Sequence, residues 1–226
     1  MSIQTSIEEW EKVHQSMDWG AWPSIDVVRF VSRKYPGNQN EQYKILDFGC
    51  GTGANTWFFA KKGFTCYAFD CSETAIKKAD QKLSLEPVTG TIHFSVADGG
   101  ELAYEDNFFD CVVDNFCIYI NTLERIEHIY HDLFRMIKPG GYLYTTMFTT
   151  RTTGYQSGTE LEKNTYENIT EGPLSGRGLA LFYESPEEIT GILSKAGFSD
   201  IVIDTTLYTD RGNTVEYYMV SCVKPI

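Results

Sequence analysis

The chain has 226 residues, of which 42% are hydrophobic and 14% aromatic, enough to build a substantial core and to exclude disorder throughout. A formal net charge of −12 repels a phosphate backbone, which disfavours a nucleic-acid substrate. No apolar run is long enough to span a bilayer, the first residues do not resemble a signal peptide, and the six cysteines form no Cys-x-x-Cys pair. We therefore expect a cytoplasmic protein with reduced cysteines, no membrane partner and no metal site.

Two helices are predicted near the N-terminus, over residues 6–16 and 23–35. Strands and helices then alternate. The predicted strands are 43–48, 66–70, 91–96, 109–115 and 142–148, and two predicted helices between them are 54–62 and 72–83. A third helix is predicted to begin at Asn121, its N-cap, and to end at Lys138-Pro139-Gly140-Gly141. A last helix begins at Ser185-Pro186, and strands 199–208 and 214–224 flank a turn. The alternation predicts a parallel sheet with an antiparallel end.

The segment 149–184 departs from this alternation, because it is long, polar and rich in Gly and Thr. Structureless segments of that length within a compact domain are usually functional or disordered. Since it follows the fifth predicted strand, we expect it to lie over the carboxyl ends of the strands, where ligands bind in open α/β sheets.

Three glycines, Gly49, Gly51 and Gly53, follow the first predicted strand and precede a helix. Glycine lets a ligand approach the backbone closely, and the helix N-terminus can receive an anionic group. Asp70 ends the next strand, the position of a ribose-binding carboxylate in doubly wound sheets. Together these features predict a nucleoside-containing ligand. Because Ala54 completes a dinucleotide fingerprint, a nicotinamide-dependent dehydrogenase stays an alternative, although the chain has no Tyr-x-x-x-Lys pair.

Five segments in order resemble the class I S-adenosylmethionine-dependent methyltransferases of the small-molecule type. They are Ile45-Leu46-Asp47-Phe48-Gly49-Cys50-Gly51-Thr52-Gly53, Phe69-Asp70-Cys71-Ser72, Val96-Ala97-Asp98-Gly99, the strand Phe108–Asp114 and the segment Leu133–Leu143. The resemblance implies one domain over 1–226, with an α/β, doubly wound, seven-stranded, mostly parallel sheet and an antiparallel final strand. Residues 1–40 would form a helical cap, and 149–184 a substrate-covering insertion.

The resemblance also implies a cofactor, S-adenosylmethionine, and the residues that bind it. The implied cofactor-binding residues are Gly49, Cys50, Gly51, Gly53, Asn55, Asp70, Cys71, Ala97, Asp98, Gly99, Asn115 and Phe116. Asp70 would bind the ribose, Asp98 would accept from the adenine amino group, and Asn115 with Phe116 would border the sulfonium.

Residues for the methyl acceptor are less strongly indicated. Many small-molecule members of the family carry a histidine soon after the fourth strand, where this chain has Tyr119, so Tyr119 and His14 are the catalytic candidates. The substrate-contact candidates are Trp19, Trp22, Tyr155, Arg177 and Tyr183. The leading hypothesis is methyl transfer to an oxygen, nitrogen or sulfur atom of a small molecule. The alternatives are a non-catalytic cofactor-binding regulator or scaffold, and the dehydrogenase.

Overall fold

The computed structural model describes residues 3–17 and 20–226. The helices are α1 Ile3–Ser16, α2 Ile25–Lys34, α3 Ala54–Lys61, α4 Glu73–Ser84, α5 Leu123–Met136 and α6 Pro186–Ala196. The strands are β1 Lys44–Phe48, β2 Thr65–Asp70, β3 Thr91–Val96, β4 Phe109–Asn115, β5 Ile137–Phe148, β6 Thr153–Gln156, β7 Thr159–Glu162, β8 Thr165–Glu167, β9 Leu179–Leu181, β10 Ser199–Asp210 and β11 Asn213–Val223. None of the helices in these ranges is long and apolar enough to cross a membrane.

Seven of the strands form one mixed sheet in the order β10-β11-β5-β4-β1-β2-β3. The neighbours from β3 to β5 are parallel, whereas β11 pairs antiparallel with both β5 and β10. The predicted fold class is therefore confirmed. The strand order reverses between β1 and β4, and ligands bind at such a point in open α/β sheets, beyond the carboxyl ends of the strands.

The central strands β1 and β4 are covered on both faces, which is why apolar residues occupy consecutive positions in each of them. Leu46 and Val112 pack into the core on one side of the sheet, while Ile45, Cys111 and Val113 pack into the core on the other. Complete burial of a side chain of this size stabilises the fold by roughly 1.5–3 kcal/mol. The two cores fix the strand ends from which the site is built.

Two predicted boundaries around α5 are wrong. Thr122, not Asn121, is the N-cap of α5, and the amide of Leu123 donates to Glu162 Oε1 at 2.6 Å, so a side chain distant in sequence caps this helix. Moreover, Lys138-Pro139-Gly140-Gly141 does not separate the helix from the strand: β5 begins at Ile137 and holds these residues as an irregular stretch. Backbone pairing of Gly140 and Gly141 with Lys224 keeps this stretch in the sheet.

Segment 149–184 is folded, with β6 and a small antiparallel sheet in the order β7-β8-β9. The strands are only three or four residues long, too short for an alternating pattern to show in the sequence. Glu216 of β11 anchors the segment: Thr149 Oγ1 donates to its carboxylate at 2.9 Å, and Arg151 pairs with it at 3.0 Å. The segment is thus attached to the main sheet close to the end of β5.

Candidate functional site

A cavity of about 430 Å³ opens at the carboxyl ends of β1, β2 and β4, with residues of α1 and of segment 149–184 in its walls. Eleven of the predicted cofactor-binding residues line it: Gly49, Cys50, Gly51, Asn55, Asp70, Cys71, Ala97, Asp98, Gly99, Asn115 and Phe116. His14, Trp22, Tyr119 and Arg177 line it as well. The structure thus brings residues from widely separated parts of the sequence into one cavity.

The loop after β1 passes so close to the turn after β4 that only glycine fits at position 49. Gly49 has a φ of +66°. A Cβ at this position would lie 2.8 Å from the Cβ of Cys117 and closer still to the sulfur of Cys117. Gly51 also has a positive φ, and the amide of Cys50 donates to Phe69 O at 2.8 Å. The loop is therefore held against the end of β2, and its glycines present backbone without a Cβ to the cavity.

Asp70, at the end of β2, is fixed in place by backbone amides. Gly51 N donates to Asp70 Oδ2 at 2.9 Å, and Ser72 N donates to Asp70 Oδ1 at 2.9 Å. Asp70 is only 6% exposed, yet it lines the cavity. A carboxylate held in this way is preorganised to accept hydrogen bonds from a ligand's hydroxyl groups.

The next wall follows β3 and pairs a flat apolar surface with an ion pair. Gly99 lies over the Phe48 ring, whose Cε1 would be 2.9 Å from a Cβ at that position. Asp98 forms an ion pair with Arg125 and accepts from the amide of Gly100 at 3.1 Å; both contacts fall on Oδ1. Phe48, Gly99 and Asp98 all line the cavity, so this wall combines apolar surface with a carboxylate, which is a suitable environment for a purine with an exocyclic amino group.

The turn after β4 is stabilised by the buried carboxylate of Asp114. Cys117 N and Ile118 N donate to its Oδ1 at 2.8 and 3.1 Å, and burial raises its pKa to about 7. Phe116 has a φ of +62°, a strained backbone conformation for an aromatic residue. Asn115 Oδ1, which is buried, has no hydrogen-bond partner within the described part of the chain. The turn therefore presents a strained aromatic ring and an unused acceptor at the cavity.

Three aromatic rings form a wall beyond this turn. The Phe116 ring lies 4.9 Å from that of Phe148, and the Tyr119 ring lies 5.5 Å from Phe148 in an edge-to-face arrangement. Burial raises the pKa of Tyr119 far above its usual range, so its hydroxyl stays protonated at neutral pH. Tyr119 can therefore donate a hydrogen bond but is a poor general base. At the mouth of the cavity, Trp22 is 79% exposed.

His14 lies beside the glycine loop. Its ring carbon Cε1 would be 3.6 Å from a Cβ on Gly51, and its side chain is 2% exposed. Burial lowers the pKa of His14, so the imidazole is neutral at neutral pH. The structure thus separates the two predicted catalytic residues, with Tyr119 in the aromatic wall and His14 beside the loop and Asp70.

Three predicted site residues lie outside the cavity, and Trp19 lies outside the described residues. Gly53 begins α3 with a φ of +80° and faces Ala79 of α4, so its role in the structure is helix packing. The hydroxyl of Tyr155 donates to Asn164 Oδ1 at 2.8 Å within segment 149–184. Tyr183 is 1% exposed and belongs to the core.

Several cavity residues were missed by sequence reasoning. They include Ile7, Trp10, Phe48, Phe69, Cys117, Arg125, Phe148, Pro173, Leu174 and Tyr208. Helical spacing was a usable signal for Ile7, Trp10 and His14, because residues three and four apart share one face of α1. Pro173, Leu174 and Tyr208 offered no such signal, since their position depends on how segment 149–184 and β10 pack.

Comparison with known proteins gives a family match and several relatives. A family model described as a methyltransferase domain matches residues 45–141. The ubiquinone/menaquinone biosynthesis C-methyltransferase UbiE of Vibrio cholerae is 34% identical over 110 residues, which cover 47% of this chain and 41% of that protein. The tRNA N(3)-cytidine methyltransferase METTL2 of Danio rerio is 26% identical over 199 residues, which cover 83% of this chain and 54% of that protein. The chain thus spans only about two fifths to a half of these two relatives.

Among solved structures, the chain is similar to the 1,6-didemethyltoxoflavin-N1-methyltransferase of Burkholderia thailandensis, with a TM-score of 0.67 and 16% identity. The similarity covers 99% of this chain and 85% of that enzyme, whose structure contains 1,6-didemethyltoxoflavin and S-adenosylhomocysteine. At this level of identity the similarity concerns the fold.

Proposed function

We propose that the chain is a class I S-adenosylmethionine-dependent methyltransferase, in keeping with the methyltransferase domain matched over residues 45–141, and that it methylates an oxygen, nitrogen or sulfur atom of a small molecule. The observation that carries the proposal is the single cavity that joins the glycine loop and Asp70 to the aromatic wall of Phe116, Tyr119 and Phe148. One part of the cavity suits a nucleoside and the other suits an apolar acceptor. We name these the cofactor half and the acceptor half.

The residues of the cofactor half fit S-adenosylmethionine. The backbone of Gly49 and Gly51 leaves room for the amino-acid part, Asp70 can accept from the ribose, and the Phe48 ring with Asp98 suits the adenine. Asn55 lies at the cavity edge, where its Oδ1 accepts from Ser24 N at 3.1 Å and ties α3 to the start of α2. When bound, the cofactor supplies a methyl group already activated by the sulfonium.

The acceptor half then has two tasks, which are to align a nucleophile and to exclude water. Phe116, Tyr119 and Phe148 are packed against one another and are mostly buried, so they offer a rigid, dry surface. The faces of such rings also favour a cation nearby. Because Tyr119 keeps its proton, it serves to hold the acceptor by donating a hydrogen bond. We therefore expect an acceptor atom that is unprotonated near neutral pH, such as a heterocyclic nitrogen or an acidic thiol or phenol.

A nucleotide of tRNA is the second candidate acceptor, because METTL2 is similar over 83% of this chain. The net charge of −12 argues against it, since binding of a polyanion relies on Lys and Arg to contact phosphates. Of the residues that line the cavity in the described structure, the two arginines are Arg125, paired with Asp98, and Arg177. This supports a small acceptor over an extended nucleic acid.

Calorimetry followed by a turnover screen tests the proposal. In calorimetry, we expect both S-adenosylmethionine and S-adenosylhomocysteine to bind. In the screen, we expect S-adenosylhomocysteine to be formed from S-adenosylmethionine when a suitable acceptor is present among the heterocyclic amines, phenols and thiols tested. Turnover with tRNA alone, at a rate that falls steeply with salt, would support the second candidate instead. Binding without turnover on either panel would favour a non-catalytic module. Binding of nicotinamide dinucleotide but not of S-adenosylhomocysteine would overturn the proposal.

A further inference from the structure

His14 carries a buried hydrogen-bonding atom that the rest of the described structure does not use. Its side chain is 2% exposed and lines the cavity, and among the described residues its Nδ1 has no hydrogen-bond partner. A buried polar atom without a partner is unfavourable, so such atoms usually receive a hydrogen bond from water or from a ligand. Because the ring is neutral, Nδ1 is able to accept a hydrogen bond when the proton is on Nε2.

The helix that carries His14 is fastened to the start of α4. Glu11, one turn before His14, accepts from Ser72 Oγ at 2.6 Å and from Thr74 N at 3.2 Å. Lys78 Nζ donates to the carbonyl of His14 at 2.7 Å. These contacts fix the position of α1 above the cavity.

The same contacts lead back to Asp70. Ser72 donates through its backbone amide to Asp70 Oδ1 and through its hydroxyl to Glu11, while its hydroxyl also accepts from Ala75 N at 3.0 Å to cap α4. A continuous hydrogen-bonded path therefore runs from the carboxylate of Asp70 through Ser72 to α1. His14 is also near enough to Asp70 for the carboxylate to act on the pKa of His14, in the direction opposite to burial.

We propose that His14 is a cofactor-binding residue: its Nδ1 accepts a hydrogen bond from a ribose hydroxyl of S-adenosylmethionine, and Asp70 binds the same ribose from the β2 side. The inference rests on the proposed function. It gives His14 a role in cofactor binding in place of the catalytic role that the sequence suggested, because His14 lies beside Gly51 and close to Asp70. It also makes cofactor binding and the docking of α1 mutually dependent, because binding linkage is reciprocal.

Binding of S-adenosylhomocysteine to His14→Phe and His14→Asn tests the inference by calorimetry. Phenylalanine keeps a flat ring without an acceptor, whereas the Oδ1 of asparagine can take the place of Nδ1. We expect His14→Phe to weaken binding by about 5- to 50-fold, and His14→Asn to restore most of the loss. The control is His131→Phe, an exposed histidine on α5 that should leave binding unchanged.

Ligand analogues identify the group that His14 contacts. In the wild-type protein, the 2′-deoxy or the 3′-deoxy analogue of S-adenosylhomocysteine should bind more weakly than the parent compound. In His14→Phe that difference should shrink. If the difference is unchanged, or if 5′-methylthioadenosine, which lacks the amino-acid part, escapes the His14→Phe penalty, then the contact is not with the ribose and the inference is wrong.

Hydrogen exchange of the amides in residues 7–16 supplies a readout independent of affinity. Saturating S-adenosylhomocysteine should slow exchange in wild type, and should slow it less in His14→Phe. Equal protection in both proteins, together with equal affinity, would overturn the inference. Failure of the wild-type protein to bind S-adenosylhomocysteine would instead overturn the proposed function, so the two failures are distinguishable.

Discussion

The two halves of the cavity are built in different ways. The cofactor half takes its residues from the carboxyl ends of β1, β2 and β3 and from the loops that follow these strands, and backbone amides hold its key carboxylate, Asp70. The acceptor half takes Tyr119 from the turn after β4, Phe148 from the end of β5 and Arg177 from segment 149–184. Parallel packing of strands positions the first half, and contacts between distant segments position the second.

This difference has a functional consequence. A site held by main-chain geometry tolerates few changes and suits a ligand common to a whole family. A site lined by side chains from a separate segment can change its residues without disturbing the sheet, because Thr149, Arg151 and Glu216 anchor that segment. The comparison predicts that substitutions in the cofactor half alter folding or cofactor affinity, whereas those in the acceptor half alter turnover alone.

The largest effect is expected for Gly49→Ala. A Cβ there meets the side chain of Cys117, and its φ of +66° is unfavourable for alanine. Crowding and backbone strain together should lower the free energy of unfolding by roughly 2–5 kcal/mol, measured by urea denaturation. Gly191→Ala is the control, because a Cβ at that α6 position meets nothing within 4 Å, and it should stabilise the protein by about 0.5–1 kcal/mol. Equal stability of the two variants would mean that the loop is not rigid.

Asp70→Ala should weaken S-adenosylhomocysteine binding by roughly 1–3 kcal/mol, since it removes the ribose acceptor and leaves the amides of Gly51 and Ser72 without their partner. Calorimetry measures the loss. Asp80→Ala removes an exposed carboxylate on α4 and should not change affinity. If Asp70→Ala bound as tightly as wild type, the carboxylate would have no part in binding the cofactor.

The same contrast explains how far the sequence could predict the structure. The order of the elements, the mixed sheet and the convergence of Gly49, Asp70 and Asp98 on one cavity follow from local patterns, because parallel strands end at the same edge of a sheet. The cap of α5 was predicted wrongly, since Glu162 lies 39 residues from the amide that it binds. No local pattern contains that contact.

The acceptor half was predicted least well for the same physical reason. Arg177 and Trp22 line the cavity as expected, but Tyr155 and Tyr183 do not, and Pro173, Leu174 and Tyr208 were not anticipated. A tyrosine in a polar segment has no feature in the sequence that distinguishes a cavity wall from a packing position. Only the register of the small strands decides between them.

Arg177→Met tests whether the halves are separable. Arg177 lines the cavity, and its Nη1 donates to the carbonyl of Pro173 at 2.5 Å. It is close enough to Tyr119 of the aromatic wall for the two to interact, and burial lowers the pKa of Arg177. We expect turnover of the acceptor found in the screen to fall by about 10-fold or more, because the variant cannot donate a charge-assisted hydrogen bond to the acceptor. Affinity for S-adenosylhomocysteine should stay within twofold of the wild-type value. Arg33→Met, on the exposed side of α2, is the control. A parallel loss of cofactor affinity would mean that the two halves act as one site.

Tyr155→Phe has the smallest expected effect and decides between two roles for a residue that the sequence suggested as a substrate contact. In the structure its hydroxyl donates to Asn164 Oδ1, and its ring packs 5.5 Å from Tyr166 and 5.7 Å from Phe182. Phenylalanine keeps these ring contacts and removes one hydrogen bond, so the free energy of unfolding should fall by about 0.5–1.5 kcal/mol while kcat and KM stay unchanged. A changed KM with unchanged stability would instead mean that the Tyr155 hydroxyl reaches the acceptor, and that segment 149–184 contributes more to the acceptor half than its cavity-lining residues.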